Sequence, residues 1–170
     1  FETIVNDLRR AQVAVPTWLE LRDESLPAAA HSGPWPGPAS EEEAACLLFT
    51  SGTTGLSRAA LISYRMIGWN ALNGAIRELR RDDVALTATP LFHTAGLLLY
   101  TLPLLILGGT VVALPKWSAE AALELFRREP ITLFFGVPTQ FQQLLTTAGF
   151  AEADLRQVRL TSGGAPLPAS

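Results

Sequence analysis

The sequence is poor in the residues that form disulfides and bind soft metals. Its 170 residues include one cysteine, Cys46, and two histidines, His31 and His93. A single cysteine cannot form an internal disulfide, and these three residues match no metal-binding spacing. We therefore expect a reducing, cytoplasmic setting, in which Cys46 is a small core residue.

Charge is scarce as well. Charged residues make up 17% of the chain, the net charge is -3 and the pI is near 5.4. Such a chain has no basic field that would attract nucleic acid or an anionic membrane surface. Hydrophobic residues make up 48% of it, enough to fill the core of one ordinary domain.

Residues 84–115 include no Asp, Glu, Lys or Arg, and His93 is their one residue that could carry a positive charge. Such a stretch could be a transmembrane segment or part of a folded core. Prolines and glycines interrupt this run, and its unbroken apolar pieces fall short of the roughly 20 residues that a span requires. The prediction is instead a buried helix between two buried strands, with no transmembrane segment.

The two ends of the chain both resemble cuts in a longer protein. The first residues show neither an initiator Met nor a signal sequence, and the last ones stop in a turn-rich stretch. We expect residues 1–24 to end a preceding element, residues 25–43 to form a Pro/Gly/Ala-rich linker, and residues 44–170 to form a truncated α/β subdomain.

Apolar runs typical of strands alternate with segments of helical periodicity. The predicted strands are 44–49, 59–62, 84–89, 110–114, 131–137 and 158–161. The predicted helices are 63–81, 97–107, 118–128 and 139–147. Ser63, Ser118 and Thr139 are the predicted capping residues of the first, third and fourth of them. Apolar runs without alternation are typical of strands buried on both faces, and the first run is expected to be one. The prediction is an α/β fold, a mainly parallel sheet flanked by helices on both faces in a three-layer Rossmann-like sandwich.

Three unusual loops follow predicted strands, at residues 50–58, 90–96 and 162–166. In parallel sheets ligands collect at the carboxyl ends of the strands, so these loops are the candidate binding segments.

The first loop has the composition of a phosphate site. Glycines free backbone N–H groups to point into a turn, hydroxyls donate to phosphate oxygens, and an arginine can bind them through its planar fork. The spacing is not that of a Walker loop. On these residues alone, a phosphate site and a polar turn without ligand stay equally open. The candidate residues are Thr50, Ser51, Gly52, Thr53, Thr54, Gly55 and Arg58.

The sequence of this loop, T-S-G-T-T-G after an apolar strand, resembles the signature of the adenylate-forming (AMP-binding) superfamily. That superfamily contains acyl-CoA synthetases, adenylation domains and luciferases. P-L-F-H at residues 90–93 and S-G-G-A-P-L at residues 162–167 are similar to two further segments of that family, in the same order and separation. The family's loop continues with Pro-Lys-Gly, whereas this chain has Ser57, Arg58 and Ala59.

The resemblance implies the middle of a large N-terminal domain that binds ATP and an acyl group. It implies that the first loop holds the ATP phosphates, with Mg²⁺ and coenzyme A as further requirements and Thr53 as the candidate metal ligand. It places His93, Thr94 and Gly96 at the acyl pocket. It places Gly163, Gly164, Ala165 and Pro166 beside the adenine and the acyl group.

The resemblance also implies what the 170 residues lack. The glutamate that holds magnesium in the family's Y-G-x-T-E segment and the catalytic lysine of its C-terminal domain are missing, so no catalytic set is complete. The partners implied are a fatty or aryl carboxylic acid, coenzyme A and the rest of the same chain. A homodimer is left open. We expect the 170 residues alone to be inactive.

Three functions compete at this point. A carboxylate–CoA ligase of fatty-acid or aryl-acid metabolism is favoured. An adenylation domain that loads a carrier protein is the second. A non-catalytic nucleotide-binding relative is the third, motivated by the change at residues 57–59. The segment Gly136–Thr139 resembles the family's turn near the acyl site, although a strand-to-helix turn explains it equally well.

Overall fold

The computed structural model describes residues 40–50 and 58–166. The expectations for residues 1–24, for most of the linker and for loop residues 51–57 lie outside the described residues. No helix within 40–50 and 58–166 is both long and apolar enough to cross a membrane.

The described residues form six strands, four α-helices and one π-helix. In chain order they are β1 (Ala44–Thr50), β2 (Arg58–Ser63), α1 (Tyr64–Ile76), β3 (Val84–Thr87), the π-helix (Ala95–Thr101), α2 (Leu102–Leu107), β4 (Thr110–Ala113), α3 (Ala119–Arg128), β5 (Leu133–Gly136), α4 (Pro138–Thr146) and β6 (Arg159–Ser162).

Four of the strands form a parallel sheet in the order β4-β3-β5-β6. Successive side chains of a strand point to opposite faces, so Ala85 and Leu86 belong to different layers. Leu86 packs in a cluster with residues of α3 and α4, and Ala85 packs in a second cluster with residues of the π-helix and α2. Helices therefore cover both faces of the sheet, which confirms the predicted fold class.

Phe134 of β5 is the centre of the first cluster. It is fully buried, and its ring lies 5.4 Å from that of Phe126, 5.6 Å from that of Phe141 and 6.2 Å from that of Trp117, centroid to centroid. Aromatic pairs at these separations add to the stability that burial alone provides. These contacts hold α3 and α4 against β5.

The first predicted strand has a different environment from the one expected. β1 pairs antiparallel with β2 in a hairpin separate from the parallel sheet. Leu47, Phe49 and Leu61 are 54%, 59% and 53% exposed. Leu48, between Leu47 and Phe49 on β1, is buried. The prediction of burial on both faces was wrong, because within the described residues only the face of the hairpin that carries Leu48 is covered.

Helix α1 begins as predicted and ends earlier. The Ser63 hydroxyl accepts the Met66 N–H at 3.3 Å, which confirms the cap. The helix stops at Ile76, short of the predicted end at residues 80–81, because Glu78 adopts a left-handed φ of 56°. The Leu79 N–H then bonds to the Gly74 carbonyl at 3.1 Å, the closure of a Schellman motif.

The segment predicted as one buried helix at residues 97–107 is helical but composite. It starts as a π-helix and continues as α2. Leu105 and Ile106 are exposed, so the predicted burial was wrong for the last turn. Pro103 has no N–H to donate within the helix, and the Leu99 carbonyl four residues earlier accepts from Arg77 Nη1 at 3.1 Å instead.

The predicted capping residue is confirmed for α3 but not for α4. Ser118 caps α3 as predicted, since its hydroxyl accepts the Ala121 N–H at 3.2 Å. Helix α4 begins at Pro138 with Val137 at the N-cap position, so the prediction that Thr139 caps it was wrong. Gln140 Oε1 reaches back to accept the Val137 N–H at 2.9 Å.

A buried carboxylate joins three strands at the amino-terminal edge of the sheet. Asp83 accepts hydrogen bonds from Arg159 Nη2 at 2.5 Å, from the Thr132 hydroxyl at 2.7 Å and from the Arg80 N–H at 2.8 Å. Burial raises the pKa of Asp83, but these hydrogen bonds outweigh it, and the pKa is lowered overall. This cluster fixes β3, β5 and β6 at the edge opposite the candidate site.

Candidate functional site

The order of the strands creates a crevice between β3 and β5. The chain leaves β3 through the π-helix and α2 to reach β4 on one side, and leaves β5 through α4 to reach β6 on the other. These connections cover opposite faces of the sheet. Two adjacent strands whose connections diverge in this way define a topological switch point, where α/β proteins bind ligands.

A cavity of about 570 Å³ lies at this point. Its walls come from the segments that follow β3, β5 and β6, together with one face of α1. The lining residues are Asn70, Arg77, Thr89, Pro90, Phe92, His93, Thr94, Ala95, Leu98, Leu99, Phe135, Val137, Gln140, Gly163 and Gly164. The structure thus brings together four residues that the sequence predicted for binding from two distant segments, His93 and Thr94 with Gly163 and Gly164.

The cavity wall is apolar and includes one fixed cation. None of the lining residues is Asp or Glu, whereas Arg77 lines the cavity. Polar contacts inside an apolar wall are strengthened by the low local dielectric, and a cation without a neighbouring carboxylate favours an anionic ligand. A carboxylate with an apolar body fits this surface.

His93 is held in a defined orientation after β3. Its N–H bonds to the Pro90 carbonyl at 2.9 Å, and its Nδ1 accepts the Ala95 N–H at 3.2 Å. In the neutral ring an acceptor at Nδ1 places the proton on Nε2, a tautomer assigned here from the hydrogen-bond pattern. The ring then presents Nε2–H as its donor.

Gly96 allows the chain to turn tightly into the π-helix. It is buried, and an added Cβ would lie 2.5 Å from the Thr89 carbonyl oxygen and 2.3 Å from that of Pro90. The Thr101 hydroxyl donates to the Gly96 carbonyl at 2.6 Å and lies 2.9 Å from the Thr87 hydroxyl. Gly96 therefore shapes the loop from behind and is not one of the cavity-lining residues.

The π-helix is attached to two strands. Thr101 connects it to Thr87 in β3, as described above, and the Tyr100 hydroxyl lies 2.6 Å from the Thr161 hydroxyl in β6. π-Helical turns occur often at functional sites, because the extra residue redirects neighbouring side chains. These bonds fix the His93 loop relative to the loop after β6.

The loop after β6 supplies the other edge of the cavity. An added Cβ at Gly163 would lie 3.2 Å from the Phe135 ring, and Gly164 has a φ of 83°, a conformation that favours glycine. Ala165 and Pro166 are exposed and do not line the cavity. The roles predicted for these four residues stay predictions.

The first loop, predicted to hold phosphate, connects the two strands of the hairpin. Thr50 and Arg58 are register partners at its ends, while residues 51–57 lie outside the described residues. The expectation that all three loops follow strands of the parallel sheet was wrong for this one, because β1 belongs to the separate hairpin. In the part of the chain that the structure describes, no group of three His, Cys, Asp or Glu residues is arranged to hold a metal ion.

Several cavity residues carried no sequence signal of function. Asn70 lies on α1, and Arg77 is the first residue after that helix, so neither stands in a pattern that marks a binding site. Gln140 and Phe135 belong to a strand-to-helix segment whose sequence is explained equally well by a structural turn and by a binding site. Only the order of the strands in the sheet brings them to the same cavity.

Comparison with known proteins identifies the family. The AMP-binding enzyme family matches residues 3–170, nearly the whole chain. The chain belongs to the AMP-binding enzyme family.

Curated relatives in the AMP-binding family include CoA ligases for aromatic acids. Feruloyl-CoA synthase of an Amycolatopsis species is 38% identical over 134 residues, which are 78% of this chain and 27% of that protein. Indoleacetate–CoA ligase of Aromatoleum aromaticum is 39% identical over 122 residues, 71% of this chain and 24% of that protein. The chain therefore spans about a quarter of the length of these relatives.

Solved structures of CoA ligases share the fold. A malonyl-CoA ligase in a ternary product complex with methylmalonyl-CoA and AMP is 35% identical, with a TM-score of 0.69 over 79% of this chain and 30% of that one. ATP-bound MatB from Rhodopseudomonas palustris is 32% identical, with a TM-score of 0.64 over 76% of this chain and 26% of that one.

Proposed function

We propose that this chain is part of an ATP-dependent carboxylate–CoA ligase. The complete enzyme joins a carboxylate to the α-phosphorus of ATP, forms an acyl-adenylate and releases pyrophosphate. The thiol of coenzyme A then takes the acyl group, and AMP leaves. Membership of the AMP-binding family and relatives named as CoA ligases support this proposal.

One observation of the structure carries the proposal. His93 and Thr94 from the segment after β3 meet Gly163 and Gly164 from the segment after β6 in one cavity at the switch point. These two segments, which are distant in the sequence and each resemble a segment of the family, line one apolar cavity that also contains Arg77. The acid lies there with its apolar body between the walls and its carboxylate toward the His93 Nε2–H and the glycine loop.

The hydroxyl-rich first loop holds the polyphosphate of ATP in this proposal. Attack on the α-phosphorus increases the charge on the phosphate oxygens, and fixed donors lower the barrier where that charge develops. The hydroxyls and N–H groups of residues 50–55 and the Arg58 guanidinium are donors of that kind. Mg²⁺ accompanies the nucleotide, with Thr53 as the candidate ligand from this chain.

The 170 residues are one part of the catalytic unit. Residues 44–170 form the nucleotide- and acyl-binding subdomain, and the rest of the chain, including a C-terminal domain, completes the site in the cytoplasm. We therefore expect no ATP–pyrophosphate exchange from the isolated 170 residues. Exchange catalysed by that chain alone, above the rate of a Thr53→Val variant, would contradict this division.

The proposal is tested by pyrophosphate release from the complete enzyme. Short-chain, long-chain and aromatic carboxylates are supplied with ATP and Mg²⁺, with and without coenzyme A. We expect at least one acid to give pyrophosphate, and acyl-CoA to appear only when coenzyme A is present. If the enzyme binds ATP but releases no pyrophosphate with any of the acids, the ligase assignment is wrong.

The role of Arg58 has its own test. Removal of one charge-stabilising donor in an active site typically lowers kcat by about 10²-fold, so we expect a loss of that order for Arg58→Ala in the complete enzyme. Arg58→Lys keeps the charge and is expected to retain most of the rate. If the two variants and the parent enzyme all release pyrophosphate at the same rate, Arg58 does not hold phosphate.

A further inference from the structure

Two walls of the cavity come from segments that follow different strands. One wall comes from residues 89–99, which follow β3 and enter the π-helix, and the other is the loop at Gly163 and Gly164 after β6. In the sheet, β5 lies between β3 and β6. The distance between these two walls therefore decides how wide a ligand can be beside the glycine loop.

The backbone ladder of the sheet stops short of both walls. The last register pair of β5 with β6 joins Gly136 to Ser162, and β3 ends at Thr87. Gly163 and the His93 loop lie beyond these positions. The spacing of the walls is therefore set by contacts that the ladder does not make.

A side-chain hydrogen bond joins the two segments directly. The Tyr100 hydroxyl lies 2.6 Å from the Thr161 hydroxyl, within the ordinary range for a bond between two hydroxyls. Tyr100 follows the lining residue Leu99, and Thr161 stands two residues before the lining residue Gly163. The bond thus connects the chain at the point where each wall begins or ends.

Packing fixes the position of the Tyr100 hydroxyl. The Tyr100 side chain is 8% exposed and belongs to the buried cluster that contains Leu104 and Leu133, with Phe135 packed against that cluster. A side chain whose rotamer is locked by packing holds its polar group in one place. Thr161 is therefore held at a fixed distance from the π-helix.

The other contacts of the two walls complete the arrangement. The Thr101 hydroxyl lies 2.9 Å from the Thr87 hydroxyl, so consecutive residues of the π-helix bond to β6 and to β3. An added Cβ at Gly163 would lie 3.2 Å from the Phe135 ring, so the second wall rests on the strand between them. Removal of the Tyr100 hydroxyl breaks the link between the walls and leaves this packing in place.

We infer that Tyr100 is a positioning residue that sets the width of the cavity through its bond to Thr161, and thereby restricts which acids fit beside the glycine loop. Neither Tyr100 nor Thr161 is among the residues that line the cavity, so both act through the walls and not by contact with the acid. This inference rests on the ligase function proposed above.

The inference predicts that loss of the bond relaxes selectivity against branched acids. In the proposed function the carboxylate points toward His93 and the glycine loop, so a methyl branch near the carboxylate lies between the two walls. One methyl group in an apolar pocket changes discrimination by about tenfold or more. In Tyr100→Phe, which keeps the ring, we expect the kcat/KM ratio of branched to unbranched acid to rise by about tenfold.

The experiment uses the complete enzyme and pairs of acids that differ by one methyl group near the carboxylate. The pairs are propanoate with 2-methylpropanoate, dodecanoate with 2-methyldodecanoate, and benzoate with 2-methylbenzoate, assayed by pyrophosphate release. Thr161→Val removes the partner hydroxyl at similar shape and is expected to give the same rise in the ratio. The double variant is expected to show that rise once, because both changes break one bond.

Matched variants serve as controls. Thr161→Ser keeps the hydroxyl and is expected to keep the parent's ratio. Tyr64→Phe and Thr146→Val make the same chemical changes at exposed positions that do not line the cavity, so they are expected to leave the ratio unchanged. Thermal unfolding shows whether each variant is folded. If Tyr100→Phe fails to fold, Thr161→Val and Thr161→Ser decide the outcome, because they test the same bond from β6.

The outcomes separate this inference from a purely structural role and from the proposed function. Equal losses of kcat/KM for both acids of a pair, or an unchanged ratio, overturn the inference while the ligase function stands. If the two rises multiply in the double variant, the hydroxyls act independently and the inference is also overturned. If none of these acids nor the wider panel gives pyrophosphate, the proposed function itself fails.

Discussion

At the scale of single residues, Gly96 is the position where the backbone of the site approaches itself most closely. A side chain there would overlap the carbonyl oxygens of Thr89 and Pro90, which are backbone atoms and cannot rotate away. The loop that carries His93 can adopt its present path only because this residue has no Cβ.

Gly96→Ala is therefore expected to destabilise the protein and displace His93. Overpacking of a tight interior typically costs about 1–3 kcal/mol, measured as the free energy of unfolding in urea. Gly68→Ala is the control, because an added Cβ in the middle of α1 meets nothing within 4 Å. That variant is expected to be neutral or up to about 1 kcal/mol more stable, since alanine favours a helix. A Gly96→Ala protein as stable as the Gly68→Ala protein would contradict the close approach.

Only the site residues that belong to distinctive sequence motifs could be predicted from the sequence. His93, Thr94, Gly163 and Gly164 stood in segments that resemble a family's, and the structure brings them to one cavity. Asn70 and Thr89 could not be found in this way, because a lone Asn in a helix and a lone Thr before a proline have many structural uses. Their position at the cavity depends on the order of the strands in the sheet, which is a property of the folded chain.

At the scale of elements, the Asp83 cluster holds the parallel sheet together at its amino-terminal edge. Asp83 precedes β3, Thr132 precedes β5 and Arg159 begins β6, so one carboxylate joins three strands. The Arg159 guanidinium also donates to the Glu78 carbonyl at 2.9 Å, which links β6 to the turn after α1.

This cluster predicts loss of stability in acid. The hydrogen bonds lower the pKa of Asp83 below its ordinary value of 3.8, despite the burial that raises it. A carboxylate with a lowered pKa in the folded state contributes its full stabilisation above pH 4 and loses it as the pH falls through the lowered value. Asp83→Asn should cost roughly 1–3 kcal/mol of unfolding free energy at pH 7 and flatten the decline below pH 4.

The neighbouring carboxylate provides the control for that measurement. Asp82 is exposed, so Asp82→Asn is expected to leave the stability at pH 7 and its decline in acid nearly unchanged. Urea unfolding of the three proteins between pH 3 and pH 7 compares them directly. Equal acid sensitivity of the parent and the Asp83→Asn protein would mean that other carboxylates cause the decline.

The boundaries of elements were less predictable than their type. Apolar runs, helical spacing of apolar residues and turn residues together predict every described strand of the parallel sheet and every described helical segment. The end of α1 was misplaced because Glu78 takes the left-handed conformation that glycine usually supplies, and no sequence signal marks it. The cap of α4 was misplaced because Gln140 bonds to the backbone from inside the helix.

At the scale of the whole molecule, two apolar surfaces of the described residues face solvent. One belongs to the hairpin, at Leu47, Phe49 and Leu61, and the other to α1, where Ile76 is 81% exposed and Trp69 58%. Contiguous apolar surface of this kind is uncommon on monomeric proteins and promotes association.

The isolated 170-residue chain is accordingly expected to bind an apolar fluorescent dye and to associate as its concentration rises. Replacing Leu61 with Thr and Ile76 with Gln shortens both surfaces and should reduce the dye fluorescence and the weight-average mass in sedimentation. Asp82 is exposed and belongs to neither surface, so Asp82→Asn provides a comparison that leaves both surfaces intact. A chain that stays monomeric without binding dye would show that these surfaces are covered.

The sequence predicts the overall architecture correctly but misplaces the first strand. Apolar runs between helical segments predicted a parallel sheet with helices on both faces, and the structure confirms it. The same argument placed β1 inside that sheet, since an apolar run indicates burial but does not specify which strand pairs with it. The antiparallel partner β2 was visible as a strand, yet nothing in its composition indicated the hairpin.

The pairing of Thr50 with Arg58 has a consequence for how this family can diversify. Because the two strands are already joined at these positions, the intervening residues need only span a fixed gap, and the entropy of closing a loop changes slowly with its length. Substitutions or even insertions between residues 51 and 57 therefore alter the chemistry at the tip without disturbing the parallel sheet. The nucleotide contacts proposed for this loop are thereby separated along the chain from the residues that form the sheet, so that one can be lost or modified by mutation while the other persists.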